Sequence, residues 1–118
     1  MVGDISVAEN IYIACGKTDM RKSIDGLAAM VQSRYKLDPY SKSIFLFCGG
    51  KADRIKILMW EGDGFVLLYK RLESGRFRWP RKADEVKPLT WQEFTWLMQG
   101  LDIEQPTAIK HICPGKIY

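Results

Sequence analysis

Histidine is nearly absent from this 118-residue chain. With His111 the single example, no metal site can draw on a second imidazole, and only one Ser/His or Cys/His pair is open to it. Cysteine is scarce as well. Cys15, Cys48 and Cys113 are widely spaced, odd in number and lack any C-x-x-C pairing, which argues against a disulfide framework and against zinc. They are expected as reduced thiols in or near the core. No apolar run approaches the roughly 18 to 20 residues of a membrane span, and Met1 to Glu9 carry two acids instead of a basic leader, so the expected location is cytoplasmic, with no membrane partner. There is no repeat at a solenoid period and no Ser/Gly/Pro-rich divider. The chain is therefore read as a single domain, 1–118, with an ordered core of about 10–102 and a tail without clear period.

What is present is ordinary globular material, 47% hydrophobic and 27% charged, which excludes disorder and collagen-like repeats. The β-branched and aromatic Ile11 to Cys15, ended by Gly16, reads as a strand. A helix should follow, capped by Thr18 or Asp19. Met20, Ile24, Leu27, Ala28, Val31 and Tyr35 form its apolar face, Arg21 and Asp25 sit one turn apart on the other, and Asp38-Pro39 ends it. Ile44 to Cys48 is a nearly continuous apolar run that stops at Gly49-Gly50. Ile55 to Trp60 and Phe65 to Leu72 flank Glu61-Gly62-Asp63-Gly64, a hairpin signal. Glu73-Ser74-Gly75-Arg76 predicts a second hairpin into Phe77-Arg78-Trp79, ended by Pro80. Thr90 and Glu93 have capping-box spacing before Trp91, Phe94, Leu97, Met98 and Leu101. The expected fold is α+β: an antiparallel β-meander of about four to five strands, with one helix before it and one after it.

Charge is unevenly placed. From Lys51 through Lys82 there are nine basic and four acidic residues, a balance of +5, within a chain whose net charge is +4. If Ser74-Gly75 is a two-residue turn, Arg71 faces Arg78 across the strands, and Arg71, Arg76 and Arg78 share one sheet face. An anion laid across that face would relieve the repulsion; a solvated or edge-protecting face is the plainer reading. The interleaved aromatics Trp60, Tyr69, Phe77 and Trp79 would suit base stacking, although core packing is the commoner use of such residues. The carboxylates most suggestive of metal chemistry have structural explanations: Asp19 as a cap, Asp38 before proline, Asp63 in the hairpin turn, Glu93 in the capping box. Gly62 and Gly64 lack the pattern of a phosphate-cradling loop. His111 near Cys113 is a weak suggestion of a catalytic pair, and a satisfied or exposed histidine is the commoner reading. No RNP1-like string, zinc finger or helix-turn-helix stands out.

Three blocks in fixed order, Gly16-Lys17-Thr18-Asp19-Met20-Arg21-Lys22-Ser23-Ile24-Asp25-Gly26-Leu27, then Asp53 to Phe65 (D-R-I-K-I-L-M-W-E-G-D-G-F), then Tyr69 to Pro80 (Y-K-R-L-E-S-G-R-F-R-W-P), carry a resemblance. The chain resembles the TnpB-type accessory protein, the second reading frame of bacterial insertion sequences of the IS sixty-six group, over about Ile11 to Asp102. The resemblance implies an accessory role in transposition beside a longer protein that carries the transposase chemistry. It carries over no catalytic residue, metal or cofactor. Family members often have an arginine-rich stretch before D-R-I-K, where this chain has Cys48-Gly49-Gly50-Lys51-Ala52. The expected nucleic-acid contacts are therefore Arg54, Lys56, Lys70, Arg71, Arg76 and Arg78, with the element-encoded transposase and the DNA of the element ends as partners. The alternatives are a pure protein-interaction module, docking through the meander edge or the Trp91/Trp96 helix, and, less favoured, a metal-dependent nuclease.

Overall fold

The computed structural model describes residues 2–81, 85–107 and 109. Its elements are strand β1 (Asn10–Ala14), helix α1 (Ile24–Ala29), strands β2 (Ser43–Cys48), β3 (Arg54–Trp60), β4 (Phe65–Arg71) and β5 (Val86–Leu89), and helix α2 (Trp91–Met98). The strands form one sheet in the order β4-β3-β2-β1-β5. β2 is buried at all six positions because it lies in the middle and is covered on both faces. Phe45 and Phe47 point to a layer built with Leu27, Met30 and Val31 of the first helix. Ile44, Leu46 and Cys48 point to the other layer, with Leu97 of α2, Phe77, Trp79 and Ile103.

The architecture is α+β, but the sheet is mixed, not a pure antiparallel meander. β1 runs parallel to β2, with Asn10 beside Ser43 and Ile13 beside Leu46, and a parallel pair needs a long crossover, which α1 supplies. The first helix accordingly lies between two strands of the sheet and not ahead of it. It also starts later than Thr18-Asp19 predicts, with Ser23 as its N-cap residue. Its last turn widens to π geometry over Met30–Arg34, where the Tyr35 N–H reaches the Met30 carbonyl at 3.2 Å. Lys36 at φ 58 and the Leu37 N–H bonded to Val31 O then close it, and Asp38 accepts from the Tyr40 N–H in the expected turn.

The β3–β4 hairpin is formed as expected, Trp60 opposite Phe65 and the Glu61 N–H donating to Gly64 O at 2.9 Å. The second hairpin is not. Residues 72–81 instead form a strap across one end of the sheet. The Leu72 N–H bonds Asp53 O, the Phe77 N–H bonds Ala52 O, and Pro80 and Glu85 accept from the Gly16 and Cys15 N–H groups. Phe77 and Trp79 are buried while Arg76 and Arg78 are exposed, so the expected in-and-out alternation holds without strand pairing. The strap delivers the chain to β5, an edge strand that the sequence reading did not anticipate. Pro88 in it turns its missing N–H outward, since the neighbouring odd-numbered positions face β1.

The capping box is made as expected, Thr90 Oγ1 accepting from the Glu93 N–H and Glu93 Oε1 from the Thr90 N–H. α2 ends with Gly100 at φ 80, the Leu101 N–H bonding Trp96 O and the Gly100 N–H bonding Leu97 O, which satisfies two of the last carbonyls. Lys82, His111, Cys113 and most of the tail lie outside the described residues.

Candidate nucleic-acid interface

Parallel neighbours send the chain off the same end of the sheet, so the loops after β1 and β2 meet there. β3 begins at that end, β4 finishes at it, and the strap crosses it. In the three segments gathered there, residues 15–23, 49–56 and 70–81, Lys and Arg outnumber Asp and Glu eleven to three.

The loop after β1 is held by tertiary contacts. The Thr18 N–H bonds Cys48 O at 2.8 Å, and Lys56 Nζ donates to both Met20 O and Lys22 O at 2.7 Å. Lys56 also lies 5.5 Å from the centre of the Tyr69 ring. It belongs to the architecture, and a phosphate would have to displace bonds already made. The Lys56→Met variant should be less stable to urea by about 1.5–3 kcal/mol, the range for a hydrogen bond to a charged group, with an unchanged slope. An unshifted midpoint would mean that the loop is held by other contacts.

Asp19 caps no helix. It accepts from the Arg21 N–H at 2.9 Å and clamps the Arg21 guanidinium at 2.8 and 3.0 Å, so Arg21 pairs with Asp19 and not Asp25. The Arg21 hydrogen bonds pull the Asp19 carboxyl down to about 2 from an ordinary 3.8. Because the folded value lies below the ordinary one, the clamp contributes fully above about pH 4 and is lost as the pH falls toward 2. Carbon-detected NMR should find the Asp19 titration near 2; a midpoint near the ordinary value would show an open clamp.

Gly49 sits where a β-carbon would come within 2.7 Å of Met20 Cγ, so close loop packing accounts for glycine in the stretch before D-R-I-K. Beside it, Arg81 donates to Gly49 O at 2.8 Å and Gly50 O at 3.3 Å. Thr18, Asp19, Arg21, Gly50, Lys51 and Arg54 are among the residues lining a cleft of about 350 Å³ at this end.

Arg54 is directly opposite Arg71. Cross-strand partners share a face, so the like-charged pair is Arg54/Arg71, and Arg78 is not beside Arg71. Asp53 comes within 3.7 Å of Arg54 Nε, yet that buried nitrogen makes no hydrogen bond. Arg71, Arg76 and Arg78 are exposed and have no hydrogen-bond or ion-pair partner among the described residues. Lys70 faces the other side of the sheet, opposite Ile55. The structure thus brings Arg54 and Arg71 together, keeps Arg76 and Arg78 exposed on the strap, where Arg78 lines a separate cleft with Glu85, Asp102 and Glu104, and leaves Lys56 engaged and Lys70 turned away. Lys17, Arg21, Lys51 and Arg81, outside the expected contacts, also lie at this end; the signal for that was the strand-helix-strand pattern, with Gly16 and Gly49 ending strands that prove to be parallel neighbours.

Of the aromatics, Phe77 and Trp79 are core, and Trp60 packs on Tyr40 and Phe65 with ring centres 5.0 Å away. Tyr69 is exposed. Cys15 and Cys48 are buried free thiols, and burial pushes Cys48 up to about 11. Among the described residues no three of His, Cys, Asp and Glu converge as a metal site, and no helix is long and apolar enough to cross a membrane.

These features define a mixed-sheet α+β protein with one basic end. The chain belongs to the family of IS66 Orf2-like proteins, which matches residues 9–108, and this ties it to an accessory role beside the transposition machinery of such elements. Similar to it are two uncharacterized proteins of Sinorhizobium fredii. One, y4jC, is 38% identical over 107 residues, covering 84% of this chain and 92% of that protein. The other, y4hO, is 34% identical over 96 residues, covering 81% and 84%. No solved structure matches the chain.

Proposed function

We propose that the protein is a non-enzymatic accessory factor of insertion-sequence transposition that binds the DNA of the element ends through the basic end of its sheet and works there with the transposase. The observation that carries this reading is the Arg54/Arg71 pair, two opposed like charges, at the end of the sheet that the strap with its exposed Arg76 and Arg78 crosses. Phosphates laid over this end would neutralise Arg71, Arg76 and Arg78, which make no ion pair among the described residues. Backbone contacts of this kind position a protein without reading sequence, and they make affinity fall steeply with salt.

The test is a gel-shift titration with the element's terminal repeats at several salt concentrations, with and without the transposase. Salt-sensitive retention by the protein alone supports the reading. Co-purification with transposase without any retention of DNA would replace it by a protein-docking role, and metal-dependent cleavage would replace it by a nuclease.

A further inference from the structure

The two edges of the sheet are not alike. β5 is four residues long and carries Lys87 and Pro88, the usual protection of an edge against further pairing. β4 has neither device in its apolar part. It runs seven residues, Phe65-Val66-Leu67-Leu68-Tyr69-Lys70-Arg71, pairs with β3 at every one without a bulge, and keeps its charges at one end. Its free backbone groups follow from the ladder. The Glu61 N–H bonds Gly64 O and the Leu72 N–H bonds Asp53 O, so bonds to β3 come from the even positions of β4. The N–H and C=O groups of Phe65, Leu67, Tyr69 and Arg71 therefore point outward. Leu68 and Tyr69 are 37% and 54% exposed, and the amino-terminal turn, although Gly3 packs on Leu68, bonds the Glu61 carboxylate and not this edge.

We infer that β4 pairs antiparallel with β4 of a second copy, about a two-fold axis at Leu68, joining two sheets into one. In this register Leu67 meets Tyr69 of the second copy and Phe65 meets its Arg71, so all four outward-facing residues are used in both chains. Charge selects the same arrangement. Lys70 and Arg71 lie at one end of the strand, and the hairpin acids Glu61 and Asp63 lie beyond the other. Antiparallel pairing places Arg71 over the Phe65 ring and diagonal to Asp63 of the second copy. That gives Arg71 an anionic neighbour, which Arg54 across β3 denies it. A parallel pairing would set Lys70 and Arg71 of the two copies side by side.

The experiment is sedimentation equilibrium of the full chain from micromolar to hundred-micromolar concentration, joined to amide exchange by NMR. A dimer is expected, with the Phe65, Leu67, Tyr69 and Arg71 amides protected more as concentration rises. Leu68→Glu and Leu68→Lys should each raise the dimer dissociation constant at least tenfold, because like charges then meet on the axis, and an equimolar mixture of the two should recover association. A monomer throughout, concentration-independent exchange at these amides, or folded Leu68 variants that associate as the wild type does would each overturn the inference. Protection appearing only when transposase is added would also overturn it and assign the edge to that protein. The wild-type exchange measurement decides the matter even if the Leu68 variants fail to fold.

Discussion

Replacing Arg71, Arg76 and Arg78 together by Ala should weaken DNA binding by roughly 10²–10³-fold at ~0.1 M salt and flatten the salt slope by nearly three units. Each phosphate contact releases about 0.9 counterion, so each lost contact removes about 0.9 from the slope and, at that salt, nearly a factor of ten from the affinity. The loss should be nearly uniform across DNA sequences, since phosphate contacts carry no base information. The three side chains are exposed and unpaired among the described residues, and removing Arg71 also removes a charge directly opposite Arg54. The fold should therefore be kept or slightly stabilised. Fluorescence anisotropy with unrelated duplexes over a salt series checks this. A folded triple variant with wild-type affinity and slope would reject the surface.

Trp79→Ala should be the most damaging single change to stability, at about 3–5 kcal/mol. Against a total of roughly 5–15 kcal/mol for a folded domain, that brings the chain close to unfolding. Trp79 is 6% exposed, packs in the α2-side core, and donates its indole N–H to Ala14 O at 2.9 Å. It fixes the strap to the end of β1, so its removal also loosens the segment that carries Arg76, Arg78 and Arg81. Trp79→Phe should cost less, since it keeps most of the buried ring. Urea melts of both variants test this; a Trp79→Ala midpoint equal to wild type would show that the strap is held by other contacts.

The sequence carried some of this fold and misled elsewhere, for local physical reasons. The Glu61 to Gly64 hairpin and the Thr90/Glu93 capping box were legible because their determinants lie within four residues of one another. Thr18 and Asp19 have the right chemistry for a cap, but the chain there is ordered by Lys56, 34 and 36 residues away, and the helix waits until Ile24. Phe77-Arg78-Trp79 alternates like a strand because its aromatics are anchored in the core, while its backbone bonds Ala52 and not a ladder partner. Pro88 disguised β5, as proline does in any edge strand. The basic character of residues 51–82 was plain from composition, but which arginines oppose each other depends on register, and register here is set by β3 against β4 and not by the Ser74-Gly75 turn.

β1 is nearly the first element made and nearly the last whose neighbours exist. One edge of it pairs with β2, and the other pairs with β5, where Ile11 meets Leu89 and Ile13 meets Lys87. On a ribosome adding roughly 5–20 residues per second, the far edge of β1 stays unpaired until more than seventy further residues have emerged. During those seconds Ile11 and Ile13 lack the α2-side layer that later buries them. A nascent chain arrested before residue 86 should thus present an adhesive strand that the finished protein conceals, and the pace of synthesis across the strap sets how long that interval lasts.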